Sequence, residues 1–417
     1  MTTPKLIWIP LAICLALASY STKFAGAAWT WFLLAGLASL WIRRSTPSQP
    51  ASQAHELART WLIFTAMALV LKTIPTLYWQ DPWAERHAEL RLFLGALGLY
   101  GLTRAAPLDK QAMRYLTFAG AIFCTAGLIT MLLYGQWGTP TNSIPWAAGM
   151  AFVSCWLLGV FYMDATTWSR WLTLAGSIIG LMAVLASEKR GAYGLVIILP
   201  CLAWILWRHK IAGLLAPQIA SKRSWGIYAG CALLVVGSLW GLQKSPVIVK
   251  PVIAIQVALE ELRKSQSSLS DNYNSSVGAR LYLWKRSVEA IRQSPWIGYG
   301  HAQRKQLLQT WANDTQLANP PVFGHVHNDY LHTLLDHGIW GLASFLSYAA
   351  GLLFVISKLV RQQAHTSAYT LTGILVMHLT TTQTNVNFSH NYYPTMLSLM
   401  ICFTLWFYSK SETTKAP

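Results

Sequence analysis

The chain has 417 residues, of which 54% are hydrophobic and only 11% are Asp, Glu, Lys or Arg, with a formal net charge of +17. A soluble globular domain carries about 25% charged residues, so that class is excluded. A mean hydropathy of +0.36 and repeated apolar runs near the ~20 residues that cross a bilayer as a helix point instead to an all-α, polytopic membrane protein.

In chain order, spans are expected at roughly 6–21, 24–42, 61–79, 90–104, 115–134, 145–163, 169–187, 191–207, 225–243, 337–357, 367–383 and 392–409, about twelve in all. The run from Leu6 to Tyr20 follows Lys5 without a cleavage-type site, so no removable leader is expected. Basic residues set the orientation. Arg43, Arg44, Arg59, Arg104, Lys110, Arg114, Arg170, Arg208, Lys210, Lys222, Arg223, Lys358 and Arg361 fall on one set of connections; Lys410 and Lys415 lie on the tail. The short connections of the other set hold only Lys23, Arg86, Arg91, Lys189 and Arg190. The positive-inside rule then places both termini in the cytoplasm.

Three regions follow: helices one to nine over 1–243, a large outer loop over 244–336, and helices ten to twelve with a tail over 337–417. All six cysteines (Cys14, Cys124, Cys155, Cys201, Cys231, Cys402) fall in expected spans, so no disulfide braces the loop. Pro251 to Gln266 has an amphipathic helical pattern, and a Ser/Asn-rich break, 265–276, follows it. Arg280 to Arg292 reads as a second helix, stopped by Pro295 and the Gly298-Tyr299-Gly300 turn; His301 to about Trp311 reads as a third. A last helix begins near His327 and leads into the next span.

Most basic residues of the loop suit anionic headgroups, among them Lys250, Lys264, Lys285 and Lys305. Two arginines differ. Arg190, in Ser187-Glu188-Lys189-Arg190-Gly191-Ala192, closes a span with almost no loop behind it, where a fixed charge needs a polar cavity or partner. Arg280 opens the second loop helix on the same side of the membrane. A planar, permanently charged guanidinium suits bidentate binding of phosphate oxygens.

The chemistry is expected in Gly324-His325-Val326-His327-Asn328-Asp329-Tyr330-Leu331, continuing through Asp336-His337-Gly338 to Gly341. His327 would lie at the start of a helix, where a neutral imidazole can accept a proton from a hydroxyl. His325, His332 and His337 are close in sequence, but Asp329 is the only carboxylate close to His325 and His327, and no zinc-type spacing is present. The polar run Thr380 to Asn387, with His378, His390 and Asn391, either lines a carbohydrate cavity or satisfies itself across helices. Lys72 and Pro75 mark a broken or snorkelling third span.

His327-Asn328, nine residues, then Gly338-Ile339-Trp340-Gly341 resembles the signature of the O-antigen ligases of lipopolysaccharide assembly, within the wider O-antigen ligase and polymerase superfamily. Lys189-Arg190-Gly191-Ala192, and Gly278-Ala279-Arg280 through Trp284 with Pro295 and Gly298-Tyr299-Gly300, are similar to other segments of that family. The resemblance implies a GT-C type glycosyltransferase at the periplasmic face of a Gram-negative inner membrane. It would move O-antigen from undecaprenyl diphosphate to lipid A–core oligosaccharide in one inverting step, with no cofactor, no metal and no nucleic-acid partner. His327, Arg190 and Arg280 would be catalytic, and Lys189, Asn328, His325 and His337 would contact substrate. Alternatives are an O-antigen polymerase, which typically carries arginine–ten residues–glycine repeats on two outer loops, a protein O-oligosaccharyltransferase, or a transporter.

Overall fold

The computed structural model describes residues 5–42, 52–105, 110–163, 167–214, 276–314 and 323–413, with the isolated positions 256 and 260. The expected span at 225–243, the amphipathic segment at 251–266 and the break after it lie outside the described residues. Among the described residues all regular structure is helical. The helices are α1 (Lys5–Leu17), α2 (Thr22–Ile42), α3 (Gln53–Tyr78), α4 (His87–Ala105), α5 (Lys110–Tyr134), α6 (Ser143–Met163), α7 (Thr167–Ala186) and α8 (Leu195–Leu214). Then come α9 (Ser276–Gln293), α10 (Gly300–Asn313), α11 (Asp329–Arg361), α12 (His365–Thr382) and α13 (Tyr392–Thr413).

Six stretches are long and apolar enough to cross a bilayer: Thr22–Trp41, Gln53–Tyr78, Gln111–Gly138, Ser143–Met163, Ser169–Ala186 and Asp329–Arg361. Trp8–Leu17 and Leu195–His209 are shorter apolar helices, and α4, α12 and α13 lie where the remaining described spans were expected. The architecture is that of a multi-pass helical membrane protein. Its centre is α6, buried without interruption from Pro145 to Val160. In lipid, helices associate by close van der Waals packing rather than by an apolar driving force, so small residues line their contacts. Gly36 of α2 crosses Gly98 and Gly101 of α4 so closely that a Cβ on Gly36 would lie 2.2 Å from the Gly98 carbonyl oxygen.

The loop helices α9 and α10 form a cap with its own apolar core of Leu283, Ala290, Leu308, Trp311, Val326 and Leu335, separate from the main one. Both pack on α11. Their observed ranges contain the expected helices at 280–292 and 301–311, and the turn between them begins at Pro295 as the sequence predicts.

How the cap is anchored follows from a break in α11. Gly338 has φ 57° and ψ −148°, outside the helical region and costly for any residue with a Cβ. In an unbroken helix the Ile339 N–H would donate to the Leu335 carbonyl four residues back. Here Ile339 donates to the Pro295 carbonyl at 2.9 Å, and the Leu335 carbonyl accepts from Tyr299 N–H at 2.9 Å. The turn between α9 and α10 has been inserted into the helix ladder, and both freed groups are satisfied. Close approach requires glycine on each side. A Cβ on Gly338 would lie 2.4 Å from the Trp296 backbone, and one on Gly298 would lie 2.5 Å from that of Asp336. Two glycine-containing motifs far apart in sequence are thus the two halves of one joint.

Candidate active site

Asn328 is the N-cap of α11. Its extended backbone lets the side-chain oxygen accept from the Leu331 N–H at 3.1 Å, while its amide donates to the Gln383 carbonyl at 3.3 Å. The residue that orients the loop therefore also ties it to the end of α12. His327 precedes it with φ 54°, a left-handed conformation that non-glycine residues adopt mainly where surrounding structure enforces it. The enforcement is visible on its N-terminal side. The Val326 side chain is fully buried in the cap core, its carbonyl accepts from the Trp284 indole N–H at 2.9 Å, and the Gly324 carbonyl accepts from Arg304 at 3.4 Å.

The His325 and His327 rings meet edge to face, their centroids 4.2 Å apart. Burial is the largest cause that lowers both. The His327 imidazole is pushed down to about 4, with the Arg280 guanidinium adding to the depression and the Asn385 side chain opposing it. The His325 imidazole is pushed down to about 3 by burial and then by His327, His390, Arg304 and Arg280. Both rings are neutral near pH 7, and the Nδ1 atom of each is buried with no hydrogen-bond partner among the described residues.

Arg280 and Trp284 are four residues apart on α9 and share a face; Trp284 touches the histidine segment, and Arg280 thereby presents its charge to the same place. The short 3-10 turn Arg190–Ala192 packs against the end of α12. A Cβ on Gly191 would lie 2.3 Å from Thr384 Oγ1, between Gln383, which Asn328 bonds, and Asn385, which faces His327. The backbone of this turn, the His327 segment and Arg280 are therefore neighbours. The Lys189 ammonium donates to Gln136 Oε1 at 2.8 Å on an exposed turn.

His337 lies apart from His327. It is 1% exposed, with Nδ1 2.9 Å from Lys72 Nζ and Nε2 3.5 Å from Asp81 Oδ2. Lys72 is accordingly a buried partner on α3 rather than a snorkelling residue. Burial alone would raise the Asp81 carboxyl, but the His337 imidazole beside it and the hydrogen bond from the His301 backbone N–H hold it below its ordinary value. Next to this group, Arg304 of α10, 4% exposed, lies 2.6 Å from Asp336 Oδ1, with His332 3.5 Å from Asp336 Oδ2. Arg304 Nη2 meets His301 Nδ1 at 3.1 Å, and His301 Nδ1 is 2.7 Å from Glu85.

Sequence reasoning missed most of this network. Lys72, an ionisable residue inside an apolar span, was the one available signal. Asp81, Glu85 and Arg304 carry no local mark in the sequence that separates them from ordinary connection residues. No group of three or more His, Cys, Asp or Glu side chains among the described residues is arranged to hold a metal ion.

The polar end of α12 is mainly self-satisfied. His378 bonds the Tyr348 and Tyr393 hydroxyls at 2.9 and 2.8 Å, Thr381 bonds Tyr393 at 2.8 Å, Thr382 donates to Tyr330 at 3.2 Å, and Asn385 donates to Asn387 at 2.9 Å. Cross-helix satisfaction describes His378, Thr381 and Thr382, whereas Asn385 Oδ1, Asn387 Nδ2 and His390 Nε2 are buried without a hydrogen-bond partner among the described residues, and Val386 and Asn391 line a cavity.

A bundle of apolar helices carrying a capped, partly buried cluster of neutral histidines and arginines defines a membrane protein with an enzyme-like site at one end. Residues 175–346 match the family model described as O-antigen ligase, a similarity that supports the O-antigen ligase superfamily. The match contains Lys189, Arg190, Arg280, His325, His327, Asn328 and His337 and supports an enzyme role. An uncharacterized protein of Haemophilus influenzae is 26% identical over 242 residues, covering 55% of this chain. The matched part spans 56% of that relative's length.

Proposed function

We propose that the protein is an O-antigen ligase, a metal-independent inverting glycosyltransferase of the GT-C type in a Gram-negative inner membrane. Its donor is O-antigen on undecaprenyl diphosphate, its acceptor is lipid A–core oligosaccharide, and its site faces the periplasm with both termini cytoplasmic. The observation that carries this reading is the convergence of neutral, strained His327 with Arg280 and the Arg190–Ala192 turn at the end of α12.

In this reaction the acceptor hydroxyl oxygen forms a bond to the anomeric carbon on the face opposite the departing diphosphate. The carbon–oxygen bond to phosphate breaks and its electron pair leaves on the diphosphate. His327 takes the hydroxyl proton, which a neutral imidazole can do and an imidazolium cannot. Arg280 and Arg190 supply positive charge where the leaving group develops negative charge, in a site partly withdrawn from water. Asn328 fixes the direction in which His327 points, and His325 packs against it.

The test is transfer by the purified protein in nanodiscs containing undecaprenyl-diphosphate-linked O-antigen and lipid A–core. Appearance of O-antigen covalently attached to lipid A–core supports the assignment. Its absence, or growth of the donor glycan on its own lipid carrier, assigns the chain to another branch of the superfamily.

A further inference from the structure

A cavity of about 380 Å³ lies between α3, α4, α10 and α11, beside the histidine segment. That volume falls within the ~300–1,000 Å³ of small-ligand sites. His325 is on its wall, whereas His327 and Arg280 are not. His325, whose ring meets that of His327, therefore joins the cavity wall to the side on which Arg280 acts.

The chemistry of the lining is different from that of a phosphate site. Three basic side chains, Lys72, Arg304 and Lys305, face four carboxylates, Glu85, Glu89, Asp329 and Asp336. Much of this lining already has partners: Lys72 meets the His337 imidazole, Arg304 pairs with Asp336, and Asp329 accepts from the Asn387 N–H at 2.9 Å. What remains unpartnered among the described residues is polar and spread over separate elements. His87 Nε2 and Glu89 Oε2 on α4, His332 Nδ1 on α11 and His325 Nδ1 in the loop are each buried without a hydrogen-bond partner, and all four residues line the cavity. Glu89 and His332 are 6% and 8% exposed. Buried polar groups are normally paired. Hydroxyls, which both donate and accept, suit a carboxylate oxygen and imidazole nitrogens alike. A diphosphate would meet four carboxylates.

We propose that this cavity is a subsite for a neutral sugar ring of the acceptor glycan, held by Glu89 and His332 so that a hydroxyl is delivered past His325 to His327. The word acceptor rests on the ligase reading; the saccharide subsite does not. The experiment uses the full-length protein in nanodiscs and the variant Glu89→Gln, which keeps the side chain's shape while removing the carboxylate. KM for lipid A–core should rise on the order of tenfold, as expected for loss of one buried hydrogen bond to ligand, while KM for the lipid-linked donor and the unfolding temperature stay unchanged. A rise in donor KM, or an unchanged acceptor KM in folded protein, overturns the proposal. If Glu89→Gln loses its unfolding transition, Thr333→Val on the α11 wall carries the same expectation.

A second arm needs no turnover. Dephosphorylated core oligosaccharide, titrated against the wild-type protein, should bind, bind about tenfold more weakly to Glu89→Gln, and resist displacement by inorganic pyrophosphate. Displacement by pyrophosphate, or equal binding to both proteins, also overturns the proposal. Saccharide binding weakened by Glu89→Gln in a protein without transfer activity would retire the ligase reading and leave the subsite standing.

Discussion

The neutral state of His327 gives the sharpest expectation, because the structure moves its proton affinity far from the ordinary value. From sequence alone the acidic limb of activity belongs near the unperturbed imidazole value of ~6.5. Burial, and after it the Arg280 guanidinium, hold the ring at about 4 instead. A protonated ring cannot accept the acceptor proton, so activity is present above the folded value and is lost as pH falls through it. At pH 5.5 an imidazole of ordinary affinity would be only about 9% neutral, whereas one titrating near 4 is about 97% neutral. The measurement is kcat/KM against pH in nanodiscs, since that ratio reports the groups of the free enzyme. Wild-type kcat/KM at pH 5.5 should stay within about twofold of its value at pH 7.5. Arg280→Gln removes the second cause of the depression. Its limb should move toward neutral pH while its plateau falls on the order of a hundredfold. A tenfold wild-type loss between pH 7.5 and 5.5, or a limb unmoved by Arg280→Gln, would refute the assignment of His327 as the proton acceptor.

The remaining expectations concern the catalytic histidine, the buried network, the joint and the leaving group. His327→Ala should reduce transfer by ~10²–10⁴, while His332→Ala and His337→Ala do less damage to turnover; parallel rates with unfolding controls check this, and an active His327→Ala beside an inactive His337→Ala would move the role. Arg304→Ala leaves Asp336, 1% exposed, without its guanidinium and should destabilise the protein by about 3–5 kcal/mol, read as a lower unfolding temperature; an unchanged temperature contradicts the buried pair. Gly338→Ala places a Cβ 2.4 Å from the Trp296 backbone in a conformation costing about 1–3 kcal/mol, so protease sensitivity of the α9–α10 turn should rise, and unchanged cleavage would argue against the joint. Transfer should persist in excess EDTA, because arginines can carry the leaving-group charge; loss of activity restored by magnesium would overturn that.

Hydropathy, helix punctuation and turn chemistry are properties of neighbouring residues, so the sequence by itself determined the membrane class, the helices of the cap, the stop at Pro295 and the placement of His327 just ahead of α11. It also singled out Gly298 and Gly338 as motif positions without revealing that they meet. That required tertiary structure, because the exchange of the Leu335 and Ile339 hydrogen bonds with the α9–α10 turn joins two segments that have no periodic relation. The same holds more strongly for charge. Lys72 and His337 are 265 residues apart in sequence, and Asp81 and His301 are 220 apart. Nothing local distinguishes a basic residue destined for solvent from one destined for a buried carboxylate; only the approach of α10 to α11 makes Arg304 a buried cation, and only the placement of α4 near α11 turns Glu89 and His332 into walls of one cavity. Residue type determined what each group could do, and the packing of distant helices decided which groups share a low-dielectric space in which doing it matters.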